Sequence, residues 1–112
     1  MLPVVILPAA RLDLLEQAEY YDSEGGEDLG NRFVANCEAG FARLAAFPKS
    51  GTRVRLKHPG LKDCRFILTP GFEKILIFYK LSDNKVQVVR VLHGARDIES
   101  VPDDGGKDDT QR

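Results

Sequence analysis

Ile75-Leu-Ile-Phe-Tyr79 is an unbroken apolar run held between two turn signals, Pro70-Gly71 and Ser82-Asp83-Asn84. Successive strand residues point to opposite faces of a sheet, so five apolar residues in a row cannot form a half-solvated strand. Such a strand needs cover on both sides, at least in part, which places it in the middle of a sheet. Phe72–Leu81 is therefore predicted as a central strand. The rest of the chain must supply its neighbours and its cover.

Two neighbours follow from alternation. Cys64–Thr69 places Cys64, Phe66 and Leu68 on one face and Arg65, Ile67 and Thr69 on the other, then stops at Pro70-Gly71. Val86–His93 places Val86, Val88, Arg90 and Leu92 opposite Gln87, Val89, Val91 and His93. Ser82-Asp83-Asn84 joins it to the central strand as a hairpin, because these residues tolerate the backbone that a tight turn requires. A further short run, Val4–Leu7, lies between Pro3 and Pro8. Proline cannot donate to a sheet ladder, so this strand belongs at an edge or beside the last strand.

The cover is helical. Pro8 suits the first position of a helix, where a missing N–H costs nothing, although Leu7 before it is no capping residue. Ala10, Leu14, Ala18 and Tyr21 then recur at helical spacing until Gly25-Gly26. Leu29, Phe33, Cys37, Phe41 and Leu44 repeat the pattern up to Pro48. Two consecutive helices with so short a link form an antiparallel hairpin. Lys49–Lys62, with Gly51, Pro59 and Gly60, reads as a loop or irregular strand, and His58 as a turn residue. The expected fold class is α+β: an N-terminal strand and a two-helix antiparallel hairpin packed on a mostly antiparallel sheet of about four strands, in the order β-α-α-β-β-β.

The 112 residues leave room for one domain, residues 1–99, followed by a solvated acidic tail, residues 100–112, too polar to join a core. Nothing approaches the ~20 apolar residues of a membrane span, and the N-terminus carries no export signal, so the expected location is the cytoplasm. Cys37 and Cys64 read as small buried side chains in a reducing compartment. The spacing of Cys and His suggests no metal site, and no cofactor is implied.

The net charge of −1 hides a segregation. Asp13 to Asp28 holds seven acidic residues and no basic one, while the stretch between Glu38 and Asp63 holds six basic residues and no acidic one. This balance argues against non-specific nucleic-acid binding and suits a protein partner of matching charge and shape. The carboxylates of the first helix recur around a face expected to be solvated. No phosphate-cradling loop and no nucleophile elbow is present, and neither His has a nucleophile at recognisable spacing. What remains is basic: Arg53 and Arg55 alternate in the loop, Arg65 and Arg90 lie on strands, and Arg96 lies just beyond. If the helices cover one sheet face, the other could collect several of these guanidiniums, whose forked donors suit carboxylate or phosphate. Each could equally be a separate surface charge or an internal ion pair.

Val86-Gln-Val-Val-Arg-Val-Leu-His-Gly-Ala-Arg-Asp97 resembles the last strand and following turn of ParE-type toxins, in the ParE/RelE superfamily of type II toxin–antitoxin systems. The similarity extends back through the Pro8-Ala helix start, Tyr20-Tyr21, the Phe33/Phe41/Leu44/Pro48 helix, Gly51 and the Ile75–Tyr79 strand, covering Leu2 to about Glu99. It implies a toxin neutralised by a cognate antitoxin protein. ParE-like members of the superfamily inhibit DNA gyrase by binding, whereas RelE-like members cut messenger RNA on the ribosome with basic side chains along the sheet and a Tyr near the C-terminus. Where that second branch would carry two lysines, this chain has Phe66 and Leu68, and Leu76 stands where an Arg would precede its Tyr. Arg96 alone keeps a matching basic residue, and no Tyr follows it. The resemblance thus favours a gyrase-binding toxin with no assigned catalytic residue. Its target- or antitoxin-binding residues are expected among Arg53, Arg55, Arg65, Arg90, His93 and Arg96. A ribosome-dependent RNase and an inactive interaction module remain as alternatives.

Overall fold

A computed structural model describes residues 1–55 and 59–97. Strand β1 (Val4–Ile6) leads into helices α1 (Pro8–Gly25) and α2 (Glu27–Ala46). Strands β2 (Thr52–Arg53), β3 (Arg65–Thr69), β4 (Phe72–Ser82) and β5 (Lys85–His93) follow, with a single 3₁₀ turn at Pro59–Leu61. The expected domain limit at residue 99, the acidic tail 100–112 and His58 lie outside the described residues.

The sheet order is β1-β5-β4-β3-β2, which puts the apolar strand β4 at the centre as its composition requires. Every pairing is antiparallel except β1 with β5, where Val4, Val5 and Ile6 run parallel to Val86, Gln87 and Val88. The sheet has five strands rather than four. The addition is Thr52–Arg53, which pairs with Phe66 and Arg65 and is too short to leave a periodic signal. The two hairpins have different turns. Asp83 and Asn84 both take positive φ (55° and 60°) between paired Ser82 and Lys85, the left-handed turn that matches strand twist. Pro70-Gly71 puts proline first and Gly71 at φ 75°, as a type II turn demands.

The helix hairpin covers one sheet face. Ile75, Ile77, Tyr79, Val86, Val88 and Val91 pack there against Ala10, Phe33, Cys37, Phe41 and Leu44. Tyr21, Phe33 and Phe72 form an aromatic triangle with centroids 5.0–5.3 Å apart, closing one end of this core. Gly30 lets the helices approach closely: a Cβ there would lie 2.9 Å from the Ala18 carbonyl oxygen. The opposite sheet face is apolar too, with Leu61, Cys64, Phe78 and Leu92 buried and Val54, Phe66, Leu76 and Val89 packed beside them.

Two sequence expectations fail in detail. The alternation of β5 breaks at Val89, because Phe78 pairs with Arg90 while Tyr79 pairs with Val88, leaving Val89 as a bulge. The faces therefore exchange: Val86 and Val88 point to the helices, but so does Val91, and Leu92 joins the outer face. Helix α1 also buries polar groups, Asp13 and Gln17, and exposes Leu12 and Leu15. β1 ends at Ile6, and Leu7 N–H makes its last bond to the Val88 carbonyl. Beyond that point the edge of β5 has no strand beside it, and the side chains of α1 take that place. Among the described residues, no helix is long and apolar enough to cross a membrane.

Candidate functional site

Asp13 and Gln17 stand one helical turn apart on α1 and face the bare stretch of β5. Asp13 Oδ2 accepts the Val91 N–H at 2.9 Å, and Gln17 Nε2 donates to the Val91 carbonyl at 3.1 Å. The same carboxylate receives Arg90 through a two-point contact, Nε at 2.8 Å and Nη2 at 2.9 Å. This paired geometry is the strongest a carboxylate and guanidinium can make, and it holds Arg90 above the usual arginine range, chiefly through the Asp13 hydrogen bond. Arg90 is thus turned inward and neutralised, not presented on the outer face.

The other members of the C-terminal motif fasten the chain end. His93 N–H donates to Asp97 Oδ2 at 2.9 Å, and Asp97 N–H returns to the His93 carbonyl at 2.9 Å. His93 Nδ1 accepts the Arg96 N–H at 3.2 Å. The Arg96 guanidinium lies 5.3 Å above the Tyr20 ring, with its Nε 3.5 Å from Asp97. Tyr20 in turn meets Tyr21 edge-on at 5.3 Å. The tyrosine pair of α1 and the Arg-Asp pair after β5, distant in sequence, form one corner.

Arg53 and Arg65 belong elsewhere. They are direct cross-strand partners, and Arg65 is opposite Tyr79. With Lys49, Lys80 and the carboxylate Asp63 they line a cleft of about 460 Å³, whose apolar lining residues are Val54, Cys64 and Leu81. Tyr79 organises this end of the sheet. Its buried hydroxyl donates to the Pro48 carbonyl at 2.8 Å and accepts the Gly51 N–H at 2.9 Å. Burial raises the pKa of that hydroxyl, so the donor keeps its proton. Gly51 is required because a Cβ there would lie 2.7 Å from Tyr79 Cε1 and 2.9 Å from the Phe66 carbonyl oxygen. The loop so fixed presents its Gly51 and Lys49 carbonyls to Arg65 Nη1, at 2.9 and 3.3 Å. Arg55 is exposed and outside the cleft lining.

The six sequence-predicted residues therefore separate into two groups, with Arg55 apart from both. Arg90, His93 and Arg96 lie along the α1 side of the sheet, and Arg53 and Arg65 at the cleft. Sequence reading missed Asp13, Gln17, Lys49, Tyr79 and Lys80 as members of these sites. Asp13 and Gln17 did carry a signal, a polar pair at i, i+4 beside the buried stripe.

Several apolar side chains remain in the open, among them Leu68 on the outer face (49% exposed), Leu12 and Leu15 on α1 (55% and 61%), and Phe47 just after α2 (65%). Phe66 meets Phe78 at a tilt of 47°, centroids 5.9 Å apart, and with Leu68 and Leu76 makes this part of the outer face a hydrophobic surface rather than a basic one. Among the described residues no cluster of His, Cys, Asp and Glu could hold a metal ion.

Comparison with known proteins agrees with this architecture. The family described as "ParE toxin of type II toxin-antitoxin system, parDE" matches residues 4–98. A solved structure, the chromosomal ParDE TA system from P. aeruginosa, superposes with a TM-score of 0.66 at 16% identity, covering 83% of this chain and 96% of the other. No curated protein sequence matches the chain.

Proposed function

Because this chain belongs to the ParE toxin family of type II toxin–antitoxin systems, we propose that it acts in the cytoplasm by binding and inhibiting DNA gyrase, and that a cognate antitoxin neutralises it. The observation that carries the reading is the outer sheet face. An RNase of this superfamily needs side chains there that steady charge on a scissile phosphate and move protons. Phe66, Leu68 and Leu76 can do neither, and they form a surface suited to a protein partner. Arg90 is engaged by Asp13 through both Nε and Nη2, which takes that guanidinium away from phosphate chemistry, while Arg96 rests half exposed on Tyr20 beside Asp97.

The antitoxin reading is supported by the ParDE system matched in the structural comparison and by Leu12 and Leu15. These two exposed leucines, three positions apart on α1, offer an apolar anchor for an amphipathic segment.

Purified protein should block gyrase supercoiling or accumulate cleaved DNA with gyrase. Leu68→Asp should abolish that effect while the protein keeps its thermal midpoint, since the side chain is half exposed. Translating ribosomes should show no new cuts in their messenger. A gyrase assay without effect at saturating toxin, or A-site cleavage lost in Arg96→Ala, would overturn the reading. Expression of the neighbouring antitoxin should restore growth.

A further inference from the structure

The helix hairpin separates charge along its length. Asp22, Glu24, Glu27 and Asp28 gather where α1 gives way to α2, with Arg32 the cation among them. The 20 residues of α2 lead about 30 Å away from that tip, and there the sign reverses. Arg43 lies in the last turn of α2, Lys49 in the loop that follows, and Lys85 at the start of β5. Asp83 in the β4–β5 turn shares a recess with the two lysines, and among the described residues no ion pair engages any of these four. The same end carries apolar side chains that the core does not use. Phe47 is 65% exposed, more than any other aromatic residue among those described, and Leu81 is 37% exposed. They line two adjoining recesses, of about 430 and 380 Å³, that share Pro48 and Lys49. Their supports are fixed: Phe47 N–H closes α2 on the Arg43 carbonyl at 2.8 Å, Leu2 N–H joins the Ala45 carbonyl at 3.0 Å, and Leu81 pairs with Val86.

We propose that this end of the molecule binds an anionic lipid surface, with Phe47 and Leu81 entering the headgroup layer and Arg43, Lys49 and Lys85 meeting lipid phosphates. The charge separation along α2 turns the basic end toward a negative surface before contact, although the net charge of the chain is −1. A projecting aromatic ring with leucine beside it and basic side chains around it is the chemistry of interfacial insertion. Three other occupants match this end less closely. A peptide pocket recesses its anchor, whereas Phe47 stands out in solvent. A nucleic-acid strand stacks on successive aromatic platforms, and the apolar neighbours of Phe47 here, Leu2, Pro48 and Leu81, are aliphatic. A second copy in a two-fold contact would set these cations against their own images. The proposal does not depend on gyrase being the target.

The chain has no tryptophan, so Phe47→Trp supplies a single fluorescent reporter. With vesicles of mixed phosphatidylglycerol and phosphatidylcholine, its emission should shift to the blue and lose access to acrylamide. Vesicles of phosphatidylcholine alone should leave it unchanged, and a Leu15→Trp reporter midway along α1 should stay in water with both. In co-sedimentation of the full chain with the mixed vesicles, Lys49→Gln and Lys85→Gln should each lower the partition coefficient about fivefold. High salt should lower it further, and so should Phe47→Ser. The thermal midpoints of these variants should hold, because Phe47 is mostly solvated and neither lysine side chain makes a hydrogen bond or ion pair among the described residues. No partition onto the mixed vesicles, an equal response to phosphatidylcholine alone, a Leu15→Trp shift as large as that of Phe47→Trp, or tighter binding of a single-stranded oligonucleotide would overturn the proposal.

Discussion

Replacing Asp13 by alanine removes three contacts at once: the two donors of Arg90 at 2.8 and 2.9 Å and the Val91 N–H at 2.9 Å. The carboxylate is 9% exposed and the guanidinium 20%, so neither was paired in open water. Stranding one member of a buried pair costs ~3–5 kcal/mol. Arg90 retains some access to solvent and can turn outward, which reduces its share. Val91 N–H cannot turn, and an unsatisfied buried amide costs ~1–3 kcal/mol. The sum for Asp13→Ala comes to about 3 kcal/mol. At ~4 °C per kcal/mol for a domain of this size, the melting temperature should fall by about 12 °C. Asp13→Asn keeps one acceptor oxygen and should lose about half as much.

Urea unfolding of Asp13→Ala, Arg90→Met and the double variant forms a cycle that isolates the pair. A coupling of about 2 kcal/mol is expected, because the double variant no longer strands a charge. Additive losses, or an Asp13→Ala cost below about 0.5 kcal/mol, would refute the idea that α1 stands in for a missing strand beside β5.

Tyr79→Phe deletes the hydroxyl that joins Pro48 to Gly51 and should cost about 1–2 kcal/mol; amide exchange should quicken at Gly51 well before the β4–β5 pairing loosens, and uniform loosening would count against a local role. Both cysteines are free and buried, and burial pushes Cys37 up to about 12 and Cys64 to about 11. A disulfide-exchange thiol reagent at pH 8 should therefore label neither in the folded protein and both in denaturant. Since the folded state holds these protons more tightly than the unfolded one, their contribution is complete below pH 9.0 and is lost as pH rises toward 11–12. Cys37→Ala should flatten that alkaline decline, and an unchanged slope would show that the thiol plays no part in it.

The elements that could be read from sequence are those whose cause is local. Ile75–Tyr79 announces a doubly covered strand, Asp83-Asn84 and Pro70-Gly71 announce turns, and Leu29 to Leu44 announces a helix, because each depends on side chains within a few positions. What escaped depends on partners far along the chain. The Val89 bulge exists only against β4, and it sends Val91 and Leu92 to faces opposite those that alternation assigns. Asp13 is buried only because β1 stops at Ile6, a length that says nothing about a residue seven positions later until the parallel register with β5 is known. The cleft needs the Tyr79 hydroxyl to draw the 48–51 loop beneath Arg65, and an apolar run gives no notice that its last member will act through its oxygen.

The motif that carries the family resemblance is, in its contacts, mostly a fastening. Arg96 rests on Tyr20, Asp97 closes on His93, and Arg90 is bound to Asp13, so these residues tie the end of the sheet to α1. The motif's contacts therefore serve the fold, because losing any one partner strands a charge or a backbone amide. Choice of partner must then lie where side chains are exposed: the outer face at Leu68 and the leucines of α1. Variation among relatives should follow the same division. Substitutions at Leu68 or Leu12 should alter what is bound with little effect on melting, whereas substitutions at Arg90 or Asp97 should lower stability before they change any partner.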